Sequence, residues 1–150
     1  MGRILLIEDD GELAETIKNE LSEEGYVIEE AYSYITAIAA LEEHDGDFDC
    51  IILDLEIPSD GLEDENLMDE YHGIYGILVL DQFCKAQTQK RPEDIWNKTI
   101  IYSEYTENLN GKDIMKNPPE KLPPINKKEN NSVSRLLKRV KEIVNKKSRL

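Results

Sequence analysis

The chain has 150 residues, enough for one domain with a hydrophobic core and too few for two ordinary ones. It carries 18 Lys and Arg against 32 Asp and Glu, a net charge of −14, and a field of that sign repels nucleic acid and argues against a membrane surface. No apolar run approaches the roughly 20 residues of a spanning helix, and the two cysteines, Cys50 and Cys84, each lie in an apolar segment, as reduced cytoplasmic thiols do.

The N-terminus runs straight into Ile4-Leu5-Leu6-Ile7, which reads as a strand and not as a signal peptide. Leu13, Ile17 and Leu21 recur every four residues up to Gly25, a helix with a natural C-terminal stop. Tyr26-Val27-Ile28 is a weaker strand. Ser33 caps a helix carrying Ile35, Ile38, Ala39 and Leu41. Cys50-Ile51-Ile52-Leu53 is a second continuous apolar run. An acidic stretch, 59–72, follows without a clean period and breaks the alternation. Ile74, Ile77, Leu78 and Leu80 continue into Phe83 and Cys84 as a third helix.

Thr99-Ile100-Ile101-Tyr102 is the next strand, and Leu122-Pro123-Pro124-Ile125 is a doubtful one, since proline cannot donate to a ladder. The region 106–131 around it holds two proline pairs, Pro118-Pro119 and Pro123-Pro124, which forbid a long helix. The clearest amphipathic stripe, Val133, Leu136, Leu137, Val140, Ile143 and Val144, places a last helix over 132–147 with Ser132 as its cap. Charge follows this division. Residues 1–111 hold 28 acids against 6 bases, and residues 112–150 hold 4 against 12. The stripe threaded through the basic end reads as a helix with a solvated basic face, not a tail for nucleic acid. Trp96 is expected at an edge, Tyr102 in the core, and His44 and His72 in polar surroundings without ligand-like partners.

Strand and helix alternate, and continuous apolar strands suit a parallel sheet covered on both faces. The expectation is one doubly wound α/β domain. In such sheets ligands bind beyond the carboxyl ends of the strands. The residues there are Glu8, Asp9 and Asp10, then Asp54, then Ser103, then Lys127 and Lys128. Each has a bland alternative. Asp9 or Asp10 can cap the first helix, Asp54 can end its strand in solvent, and Ser103 can bond its own backbone. Converging carboxylates repel unless a cation intervenes, and hard oxygen donors suit Mg2+ better than zinc.

The runs Ile4-Leu5-Leu6-Ile7-Glu8-Asp9-Asp10, Ile51-Ile52-Leu53-Asp54-Leu55-Glu56-Ile57-Pro58 and Ile100-Ile101-Tyr102-Ser103 resemble the receiver domain of two-component response regulators. The resemblance implies a flavodoxin-like, five-stranded parallel sheet of order 2-1-3-4-5, with the helix before the last strand stunted or replaced by the proline-rich loop. It implies that Asp54 accepts a phosphoryl group from the phosphohistidine of a sensor histidine kinase or phosphotransfer protein. Glu8, Asp9, Asp54 and the main-chain carbonyl of Glu56 would hold Mg2+, and Ser103 would be the switch hydroxyl. Lys128 would be the phosphoryl-contacting lysine, with Lys127 as alternate; Lys128 is preferred because three residues back from it lies apolar Ile125.

Departures are Glu104 after the switch hydroxyl, Glu56 two residues after the acceptor, the absence of proline after either lysine, Ile125 or Pro124 at the aromatic switch position, and the acidic stretch 59–72 as an insertion between the Asp54 loop and the third helix. The resulting expectation is a stand-alone, single-domain regulator that catalyses only its own phosphoryl transfer and dephosphorylation. It would dock to an unknown downstream protein, with a homodimer allowed and no nucleic acid or membrane partner. A phosphorylation-independent binding module is the alternative. An aspartyl-phosphate phosphatase, suggested by Asp54-Leu55-Glu56, has the wrong motif order.

Overall fold

A computed structural model describes residues 2–71, 73–87, 91–104 and 123–148. Five strands, β1 (Arg3–Ile7), β2 (Val27–Ala31), β3 (Cys50–Leu53), β4 (Thr99–Ser103) and β5 (Ile125–Asn126), form one parallel sheet in the order β2-β1-β3-β4-β5. The helices among the described residues are α1 (Gly11–Glu23), α2 (Tyr34–Glu43), α3 (Glu65–Tyr71), α4 (Tyr75–Ala86), α5 (Pro92–Trp96) and α6 (Ser132–Ser148). The question of a stunted helix before β5 falls on 105–122, outside the described residues.

Successive side chains of a strand point to opposite faces, and the two cores follow that alternation. Leu5, Ile7, Ile51, Leu53 and Ile101 face α2, α4 and α5; Ile4, Leu6, Cys50, Ile52, Ile100, Tyr102 and Ile125 face α1 and α6. Both faces of the central strands are dry, which is why they read as unbroken apolar runs. The α6 stripe is turned inward, with Leu136, Val140 and Val144 buried, and Arg135 and Lys138 stay in water.

Local signals set the helix ends. The Asp10 carboxylate accepts the N–H groups of Glu12 and Leu13, so Asp10 is the cap and Asp9 is not. Ser33 and Thr36 form a reciprocal capping box. Gly25, at φ +92°, lets the chain leave α1 and turn into β2.

Several elements depart from the sequence reading. β2 runs to Ala31, beyond Ile28, because backbone pairing with β1 carries it through Glu29 and Glu30. The aperiodic 59–72 stretch contains α3, which Tyr71 pins to α4 by donating its hydroxyl to Asp81 at 2.9 Å. Trp96 closes the short α5 and is 2% exposed, in the core and not at an edge. Ser132 turns its hydroxyl to the Lys127 carbonyl at 3.1 Å and meets the Tyr102 hydroxyl at 2.9 Å; it is not a side-chain cap. His44 does have partners, since its ring accepts from Arg3 at 2.8 Å and lies 2.7 Å from Glu29. His72 lies outside the described residues.

Candidate functional site

Strand ends bring the candidate residues to one edge of the sheet. Glu8 follows β1, Asp54 follows β3, Ser103 ends β4 and Lys127 follows β5. Glu8 and Asp54 are each 4% exposed and Ser103 is fully buried, whereas Asp9 is exposed. Buried carboxylates and hydroxyls need partners, and each of these finds one.

Asp54 is held from three sides. Its Oδ1 accepts the Ser103 hydroxyl at 2.9 Å and the Glu56 N–H at 3.1 Å. Its Oδ2 accepts from Lys127 Nζ at 2.9 Å. The same ammonium lies 2.6 Å from Glu8 Oε2, and the other Glu8 oxygen takes the Asp10 N–H at 3.1 Å. One cation thus bridges two buried carboxylates. Glu8, Asp9 and Asp54 each offer an oxygen within 4.8 Å of the others, and an open cleft of about 410 Å3 runs from Glu8 and Asp9 past Gly11 to Tyr32 and Pro58.

The electrostatics follow from that crowding. Burial, reinforced by the Asp54 charge, pushes the Glu8 carboxyl up to about 7. Burial and Asp54 also raise Asp9. For Lys127, burial pulls its pKa down, but hydrogen bonds to Glu8 and Asp54 outweigh this and the net direction is upward. The ammonium therefore stays charged.

The lysine preference from the sequence is corrected here: Lys127, not Lys128, reaches Asp54. Lys127 continues the ladder past β5, its N–H donating to the Ser103 carbonyl at 3.1 Å. Its stem passes Tyr102, with the ammonium 5.9 Å from the ring centroid, so the charged head emerges beside the acceptor. Asn126 then folds its side chain back to accept the Lys128 N–H at 2.8 Å, an Asx turn that sends Lys128 outward. Lys128 is 73% exposed and lies 4.0 Å from Glu104. With Lys127 in the site, the residue three positions back is Pro124, and Lys128 stands where a proline was missed. The Glu56 side chain is exposed; only its backbone N–H meets the acceptor.

Gly76 is a residue the sequence reading passed over. A Cβ there would sit 2.9 Å from Leu55 Cα and nearer still to the Asp54 carbonyl oxygen, while the Gly76 N–H donates to the Leu55 carbonyl at 3.0 Å. The first turn of α4 thus presses directly on the acceptor loop. Spacing alone did not flag it, because the 59–72 stretch separates it from Asp54.

The family model described as the response regulator receiver domain matches residues 4–87, more than half of the chain, and the chain belongs to that family. Receiver domains are signalling domains that interact in general with histidine kinases or phosphotransfer proteins. No curated protein matches by sequence. Among solved structures, the receiver domain of a Francisella response regulator is 20% identical over 98% of this chain and 99% of its own, with a TM-score of 0.67. A CheY-like receiver domain protein from Methanospirillum hungatei is 22% identical over 99% and 98%, with a TM-score of 0.68. The response regulator TrrA from Thermotoga maritima, in complex with Mg2+-BeF, is 25% identical over 95% and 99%, with a TM-score of 0.60. No helix among the described residues is long and apolar enough to cross a membrane.

Proposed function

We propose that this domain accepts a phosphoryl group on Asp54 from a phosphohistidine, carried by a histidine kinase or a phosphotransfer protein, and signals by docking to another protein. One observation carries the reading. A buried carboxylate at the end of a central strand is gripped by a hydroxyl on one oxygen and an ammonium on the other, beside two further carboxylates.

The donor set fits a divalent cation of the Mg2+ kind: carboxylate oxygens gathered at one edge, one of them exposed to solvent, with no thiol or imidazole among them. The Mg2+-BeF complex of the Thermotoga neighbour supports the same choice. Glu8, Asp9, Asp54 and the Glu56 main-chain carbonyl would hold the ion, which when bound neutralises charge on the attacked phosphoryl oxygens.

The chain's own groups do the rest. An Asp54 oxygen attacks phosphorus in line, the P–N bond breaks, and the electron pair leaves with the imidazole nitrogen, giving an acyl phosphate. Ser103 and Lys127, each 2.9 Å from Asp54, would donate to the transferred oxygens. Transfer adds about −1.5 to −2 charges beside both donors, which is the change a docking partner would read. The phosphatase reading is less favoured, because its motif order differs from the order of Glu8, Asp9 and Asp54 in this chain.

Incubation with acetyl phosphate and Mg2+, followed by intact mass, tests this. Wild type is expected to gain one phosphate with Mg2+ and none when Mg2+ is chelated beforehand, and Asp54→Asn to gain none in either case. Equal labelling of that variant would sink the assignment.

A further inference from the structure

Glu104 and Lys128 each break the expected pattern, and the fold brings them together. They leave from neighbouring strand ends, because Ser103 pairs with Asn126 across β4 and β5 and the Lys127 N–H donates to the Ser103 carbonyl. Two consecutive lysines therefore diverge. Lys127 goes inward to Glu8 and Asp54, and Lys128 goes outward to within 4.0 Å of the Glu104 carboxylate.

The placement matters because Glu104 directly follows the hydroxyl that bonds the acceptor. The site already holds three carboxylates, Glu8, Asp9 and Asp54, and one ammonium touching two of them. A further carboxylate swinging over the mouth would meet an incoming phosphodonor with like charge. An exposed pair of this kind adds little stability, so its consequence lies in where it holds the Glu104 charge.

We infer that Lys128 tethers the Glu104 carboxylate away from the mouth of the site, so that this pair sets how readily an anionic phosphodonor reaches Asp54. The inference rests on the acceptor reading above. It makes Lys128 a positioning residue that acts through Glu104, and it makes the effect of losing Lys128 conditional on Glu104 being present.

The test is the initial rate of labelling by acetyl phosphate with Mg2+ at low salt, read by intact mass, for wild type, Lys128→Gln, Glu104→Gln and the double variant. A carboxylate roughly 6–10 Å from a dianion in a water-like dielectric slows its approach about four- to tenfold, and a tether worth at most about 1 kcal/mol limits the change on its loss to about two- to fivefold. Lys128→Gln is expected to slow by that smaller factor and to recover at high salt. Glu104→Gln and the double variant are expected to stay within about twofold of wild type. If Lys128→Gln labels at the wild-type rate, or slows labelling equally with and without Glu104, the tether is overturned while the acceptor reading stands. A wild type that takes no label overturns both.

Discussion

Gly76→Ala probes how tightly the acceptor is held by its neighbours. The added methyl would lie 2.9 Å from Leu55 Cα and closer to the Asp54 carbonyl oxygen, and both are backbone atoms without a rotamer to relieve the clash. Restoring van der Waals contact requires the α4 start or the 54–55 loop to retreat by roughly 1 Å. Overpacking of that kind costs about 1–3 kcal/mol, and a misplacement of about 1 Å at a reacting group lowers its rate on the order of 100-fold. Urea unfolding and acetyl phosphate labelling measure the two effects, and labelling should fall much further than the folded population does. Gly11→Ala is the control, because nothing lies within 4 Å of a Cβ there and the acceptor should label as in wild type. Unchanged stability and unchanged labelling in Gly76→Ala would refute the proposed pressure of α4 on the loop.

Other outcomes follow from the same geometry. Glu8 binds its proton more tightly folded than unfolded, about 7 against 4.5, so its contribution is full below pH 4.5 and lost as pH rises through 7. That difference is worth on the order of 3 kcal/mol; in metal-free protein, stability should fall over this window, and Glu8→Gln should flatten the slope. Lys127→Met leaves two buried carboxylates without their shared ammonium, a loss of about 3–5 kcal/mol; urea unfolding in chelator should find the deficit larger at pH 8 than at pH 5.5. Asp10→Ala should cost about 1 kcal/mol by removing the α1 cap while sparing Mg2+ affinity. Asp9→Asn should do the reverse, weakening Mg2+ binding by calorimetry with little change in melting temperature.

Much of this arrangement was legible in the sequence because its physics is local or strictly periodic. Ile4-Leu5-Leu6-Ile7 and Cys50-Ile51-Ile52-Leu53 are apolar at every position since both faces of those strands are covered. A polar residue directly after such a run marks the sheet edge, and Glu8, Asp54 and Ser103 were found that way. The lysine was not, because an Asx turn made by Asn126 decides which of two neighbouring lysines faces the acceptor, and apolar periodicity does not register a turn. Only the second half of β2 hid, behind Glu29 and Glu30, which an edge strand tolerates with partners such as Lys18 and His44. α3 carries little apolar pattern of its own and is anchored by single contacts such as Tyr71 with Asp81. Gly76 matters through a backbone approach between distant segments, and only the folded chain brings those together.

The central claim is that one carboxylate among several neighbours receives the phosphoryl group. Borohydride reduction of acetyl phosphate-labelled protein, followed by peptide mass mapping, locates it directly. The account predicts a single reduced position, Asp54, present only when Mg2+ is supplied. Reduction at Glu8, Asp9 or Glu56, or spread across the acidic surface, would contradict it.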